Sequence, residues 1–154
     1  MRNFIVSDLH GDGNAYNSII SYLENVASSS DEEVTLYING DLIDRGYDSA
    51  RMLLDVISRM INSGPFKVEY LAGNHELMMW QDCHDLEHSW PVNSVWFHNG
   101  GYKTAFGFEA MFGSDKLNDN VNNIVNFISN LKIYHKFNET LNGKKNSIGA
   151  CKMP

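Results

Sequence analysis

Cysteine is nearly absent: only Cys83 and Cys151 occur, far apart and with no CxxC pair. That excludes a disulfide framework and a cysteine-held zinc or redox centre, and it points to free thiols in a reducing compartment. Proline is scarce at three residues, which with twelve glycines leaves little room for a disordered tail. Positive charge is also short. Twelve Lys and Arg face nineteen Asp and Glu, for a formal charge of −7. A nucleic-acid or anionic-membrane partner is thereby disfavoured, because such binding needs surplus basic residues to displace counterions. Phosphorylated substrates stay open, since a bound dication reverses the local field of an acidic site. No run approaches the roughly 20 apolar residues of a membrane span. The opening residues Met1–Val6 lead directly into a strand-like run without a leader pattern. The expected compartment is the cytoplasm.

What is present suits one globular domain over residues 1–154, with 43% hydrophobic and 20% charged residues. Phe4–Ser7 predicts a buried strand that stops at the polar loop Asp8-Leu9-His10-Gly11-Asp12-Gly13. Tyr16, Ile19, Ile20, Leu23 and Val26 recur at helical spacing over 14–27, with Asn14 as the expected cap. Val34–Ile38 predicts a second strand, running into the acidic, glycine-bearing loop 39–46. A second helix follows from Ser49, with Met52, Leu53, Val56, Ile57 and Met60 on one face. After the Gly64-Pro65 break, Phe66–Leu71 predicts a third strand ending at Gly73-Asn74-His75-Glu76, and 77–80 reads as helix. Three β–loop–α units put three polar loops at strand C-termini, the edge where α/β sheets bind ligands. Beyond them, 117–131 predicts a helix, Ile133–Phe137 a strand, and Asn142-Gly143 a hairpin turn with a strand returning from Lys144. Residues 81–103 show no regular pattern.

The three loops carry metal-ligand residue types. Asp8 and His10 lie two apart, so an extended segment would aim both one way. Asp41 and Asp44 flank Leu42-Ile43, and Asn74-His75 close the third loop. Mixed oxygen and imidazole ligands suit Mn, Fe, Zn, Co or Ni better than Ca or Mg. Two such divalent ions need a bridging carboxylate, for which Asp41 is the candidate. A water shared by them becomes a hydroxide near neutral pH, a nucleophile for in-line attack on phosphorus.

DLHG at 8–11, GDLIDRG at 40–46 and GNHE at 73–76 resemble the DxHG, GDxxDRG and GNHE motifs of the calcineurin-like metallophosphoesterases, in their phosphoprotein-phosphatase branch. Trp96-Phe97-His98-Asn99-Gly100-Gly101 is similar to the W-x-x-NGG segment of bacterial and phage members. The resemblance implies an α/β fold, a β-sandwich of mixed sheets flanked by helices. It implies that Asp8 and His10 hold one metal ion, Asp41 bridges, and Asn74 holds the second ion and touches the phosphoryl group. It implies His75 as general acid, oriented by Asp44, and Arg45 as a phosphate grip. Two ions, manganese foremost, are the implied cofactors. The implied activity is serine/threonine or dual-specificity protein phosphatase, with a phosphorylated protein or small phosphoester as partner. A dinucleoside tetraphosphate hydrolase, which shares the motifs, is the alternative.

The family pattern also implies two further histidine loops and a second arginine. Lys144–Cys151 stands where the first would fall and has no histidine. The expectation is therefore a domain shortened at its C-terminus, about two thirds of a complete one, with open sheet edges that favour a homodimer. His98 or His135 could serve as substitute ligands, and a non-catalytic metal- or phosphate-binding remnant is the competing reading. Blander roles are expected elsewhere. Asp12 and Asp48 read as turn formers or caps, Glu76 as a structural hydrogen-bond partner, and 77–80 as core. Trp90 and Trp96 read as packing residues, and the HDLEH run of His84 and His88 as a solvated helix face.

Overall fold

The computed structural model describes residues 1–62, 64–84, 89–141 and 144–149, with the side chains of 137–147 outside that description. Strands β1 (Arg2–Val6), β2 (Val34–Asn39) and β3 (Lys67–Leu71) form a parallel sheet in the order β1-β2-β3. The register pairs Phe4 with Leu36 and Ile38 with Tyr70, so all three strands end at one edge. β2 is central and buried at five of six positions, which explains its unbroken β-branched and aromatic run. β1 lies at the sheet edge and is largely exposed, with Ile5 open to solvent.

Helices α1 (Gly13–Ser28) and α2 (Ser49–Ile61) make the two crossovers. Both present an apolar face: Tyr16, Ile20 and Leu23 from α1, and Met52, Leu53 and Val56 from α2, all in the core. The cap of α1 is Asp12 rather than Asn14. Its carboxylate accepts from the Asn14 and Ala15 main-chain N–H groups at 3.1 and 3.0 Å, the usual role of an aspartate before a helix. Between the crossovers a half-buried polar link forms. The Tyr16 hydroxyl donates to Asp55 at 2.6 Å, and Arg59 donates to the same carboxylate at 2.8 Å.

Helix α3 (Asn74–Cys83) begins inside the third motif, earlier than the periodicity of 77–80 suggested. Only Met79 of that run is fully buried; Trp80 is exposed. Helix α4 (Tyr102–Phe112) has no counterpart among the sequence expectations. Its short span mixes buried Thr104, Ala105 and Phe108 with exposed Tyr102 and Phe106, so no clean period was legible. Helix α5 (Ser114–Ser129) packs on α3 and α4, as its periodic Val121, Ile124, Val125 and Ile128 require. The chain then passes β3, where Ala72 N–H donates to Lys132 O at 2.8 Å. It ends in the antiparallel pair β4 (Tyr134–Leu141) and β5 (Lys144–Gly149). His135 on β4 rests its ring 4.7 Å from that of Tyr37 on β2. The expected turn at 142–143 and Cys151 lie outside the described residues. Over the described residues the architecture is α/β with one parallel and one antiparallel sheet, the class expected. No helix among the described residues is long and apolar enough to cross a membrane.

Candidate active site

The loops after β1 and β2 are bonded to each other beyond the strand ends. Asp8, His10 and Gly11 donate their main-chain N–H groups to the carbonyls of Gly40, Asp41 and Leu42, at 3.3, 3.0 and 2.9 Å. Gly11 and Gly46 sit so close that a Cβ on either would overlap the other's main chain, which is why both motifs carry glycine there. The expectation of an extended Asp8–His10 segment is corrected. Asp8 and His10 adopt φ of 55° and 44°, and Asp41, Asp44 and Arg45 adopt 52°, 73° and 65°. These are the left-handed, non-glycine positions of the described backbone, and all five fall in two motifs. Each costs roughly 1–2 kcal/mol; strain concentrated in this way is a mark of functional loops.

The outcome is convergence. One ligand-type atom each from Asp8, His10 and Asp41 lie within 4.8 Å of one another. Bonds of about 2.1 Å give a single ion's shell a span of about 4.2 Å, so modest closure encloses a cation. The Asn74 amide lies against the Asp41 carboxylate and donates to its two oxygens at 3.0 and 3.3 Å. The two carboxylates and the imidazole of the Asp8, His10 and Asp41 group fit a divalent metal. Among the described residues His84, His98 and His135 do not join this group, and His88 lies outside them. His84 instead bonds the Gln81 carbonyl at 2.8 Å.

The third loop is fastened by Glu76. This fully buried carboxylate accepts from Gly73 N–H at 2.7 Å, Asp41 N–H at 2.9 Å, Leu42 N–H at 2.9 Å and Ile43 N–H at 3.4 Å. Burial raises its pKa above the ordinary carboxylate value, with the N–H groups of Asp41 and Gly73 acting the other way. It fits the structural role expected of it. The His75 N–H, in the first turn of α3, donates to Asp41 at 3.0 Å, so the positive helix end faces the acid cluster.

Beside this open group lies a dry one. Asp44 and His75 are both buried, with Asp44 Oδ2 2.8 Å from His75 Nδ1. The other Asp44 oxygen accepts from the Thr104 hydroxyl at 2.6 Å and the Trp96 indole N–H at 3.1 Å. Arg45 spans the two groups: Nη1 is 3.1 Å from His10 Nε2, and Nη2 is 3.1 Å from His75 Nε2. Guanidinium nitrogens only donate, so both Nε2 atoms accept and both imidazoles carry hydrogen on Nδ1. His10 gives that hydrogen to Ile43 O at 3.1 Å and His75 gives it to Asp44. This is the outer contact that typically orients a ligating or proton-moving imidazole.

Two contributors were missed in sequence. Trp96 is fully buried, as a packing residue would be, yet it also bonds Asp44; its place in the W-x-x-NGG segment was the available signal. Thr104 carried none. The same segment braces Arg45. Gly100, at φ 104° and too close to Arg45 for any Cβ, offers its carbonyl to Arg45 N–H at 3.2 Å. Lys103 Nζ reaches Arg45 O at 2.6 Å.

A metal-ligand cluster at the strand ends, joined by an arginine fork to a buried Asp–His pair, defines a candidate phosphoesterase site. Residues 1–147 match the family model of the calcineurin-like phosphoesterases, and the chain belongs to that family. The family's chemistry is metal-dependent phosphoester hydrolysis, and Asp8, His10 and Asp41 form the candidate metal group here. Comparison with the curated proteins returned no match.

Proposed function

We propose that this protein is a serine/threonine protein phosphatase, extending to phosphotyrosine, that works with two divalent ions, manganese foremost. The observation that carries the reading is the convergence of Asp8, His10 and Asp41 on one point, next to the Asp44–His75 pair and the Arg45 fork. Asp8, His10 and Asp41 would hold metal here, with Asn74 beside Asp41 as a further candidate ligand. When bound, such ions supply Lewis acidity at phosphoryl oxygens and lower the pKa of water. Arg45 presents two parallel N–H donors to the phosphoryl oxygens, a geometry that favours the charge-rich transition state. With phosphate in that fork, Arg45 leaves His75 Nε2, which is then available to carry the proton given to the leaving oxygen. Asp44 stabilises the imidazolium, and Trp96 and Thr104 hold Asp44 in place. The GDLIDRG and GNHE forms support a phosphoprotein substrate, and β1 as an open edge supports pairing of two copies.

A second reading, a metal-binding remnant without turnover, has one observation in its favour: His10 is the one histidine in the metal-ligand group among the described residues. Hydrolysis of p-nitrophenyl phosphate with added manganese separates the two. Metal-dependent turnover that vanishes in His75→Asn supports the phosphatase. Retention of one equivalent of manganese with no turnover supports the remnant.

A further inference from the structure

The helix α4 side of the site carries aromatic surface that the chemistry above does not use. Tyr47, two residues beyond Arg45, is 80% exposed. Lys103, whose ammonium is tied to the Arg45 carbonyl, stands 4.3 Å from the Tyr47 ring centroid and 6.0 Å from that of Tyr102. Tyr102 then meets Phe97 and Phe106, each 6.1 Å away, and Phe97 and Phe106 lie 6.3 Å apart. Phe106 is 53% exposed. Phe97 and Phe106 in turn line a cavity of about 580 Å³ together with Trp90, Val92 and Leu117, and with Ser89, Glu109 and Asn118 as its polar lining. A continuous path thus runs from the arginine fork, past a pinned cation, over three rings, into an apolar recess.

We propose that this path binds the polypeptide flank of a phosphorylated protein, with an acidic group of the substrate opposite Lys103 and an apolar side chain in the recess. The inference rests on the phosphatase reading and names the substrate class of that site. Exposed aromatic surface next to a polar centre is costly to leave in water and marks an interaction face. A small phosphoester would end at Arg45 and leave it bare. A nucleotide flank fits less well. The recess is mostly apolar, and its carboxylate, Glu109, already accepts from the Trp90 indole at 2.7 Å, leaving Ser89 and Asn118 as its other polar groups, few to read a base. In a chain of net charge −7, a lysine fixed beside the arginine fork gives an acidic peptide a local place to dock.

The test compares the manganese-loaded full chain with Tyr47→Ser and Phe106→Ser on three substrates. These are a phosphothreonine peptide with acidic and apolar flanking residues, p-nitrophenyl phosphate, and a dinucleoside tetraphosphate. Peptide kcat/KM divided by the aryl phosphate value should fall about tenfold or more in each variant, through KM, as expected for removing one buried aromatic contact. Peptide affinity is read separately by fluorescence anisotropy in the His75→Asn background, and should weaken by a similar factor. An unchanged ratio and unchanged affinity, with melting temperatures intact, overturn the proposal. So does a loss confined to the dinucleotide. Absence of turnover on every substrate would sink the phosphatase reading alone, because anisotropy still decides the docking face.

Discussion

Asp41 and Asp44 share one loop, one residue type and one unusual backbone conformation, with φ of 52° and 73°. Their surroundings differ completely. Asp41 is partly exposed, faces Asp8, His10 and Asn74, and accepts one main-chain N–H, that of His75. Asp44 is sealed from solvent and meets His75, Trp96 and Thr104. An exchangeable cation needs an open approach and carboxylates with lone pairs to spare. Orienting a proton-carrying imidazole calls for a dry carboxylate with both oxygens engaged. The loop supplies both by turning left-handed twice within four residues, and the strain is sustained by Glu76 beneath and the Gly100 turn above.

The largest break in this comparison comes from His75→Asn. Turnover should drop on the order of 10²–10⁴-fold while manganese affinity, measured by calorimetry, stays near wild type. Equal loss of both would mean that the two groups are one unit. Asp41→Asn should do the reverse and weaken manganese binding at least as much as the 10–100-fold typical of outer-shell changes. Thr104→Val leaves a similar shape but removes the 2.6 Å bond to Asp44. The expected result is a kcat loss of roughly 10–100-fold with metal affinity kept and Thr104→Ser restoring most activity; a loss of metal instead would erase the division. Glu76→Gln turns one acceptor into a donor facing main-chain N–H groups. Urea unfolding should show a cost of about 1–3 kcal/mol.

Asp55, far from both groups, gives the smallest effect. Burial pushes its carboxyl up, but the Tyr16 hydroxyl and Arg59 guanidinium outweigh that and hold its pKa below the usual value. A carboxylate lowered on folding stabilises above its unfolded pKa of about 3.9 and loses that contribution as pH falls through the folded value. The pair is partly exposed, so Asp55→Asn should cost under about 1 kcal/mol at pH 7. In melting curves the gap to wild type should narrow below pH 4. A gap that widens in acid would reverse the sign assigned here.

Much of the front of the molecule was legible from period alone. β2, α2 and α5 bury one clear set of side chains, and their boundaries came within one to three residues. Helix α4 was not legible, because it splits its residues between core and exposed surface within eleven positions. Asp8, His10, Asp41, Asn74 and His75 were readable because short motifs with fixed spacing bring ligand-type residues to strand ends. Trp96 looked like packing, since a buried indole serves equally well as filler or as donor. Thr104 looked like nothing, since a threonine in a helix announces no partner sixty residues away.

The chain's order of residues alone determined which side chains could bind metal, move a proton or grip phosphate, and that three strands would deliver them to one edge. Local spacing and residue chemistry suffice for that. Only the folded state decided that Asp8 and His10 converge through left-handed backbone rather than an extended segment. It alone decided that Arg45 links the open and buried groups, and that the third corner of the site comes from residues 96–104. Those outcomes depend on contacts between segments distant in sequence, where packing and desolvation choose the partner and no local pattern records the choice.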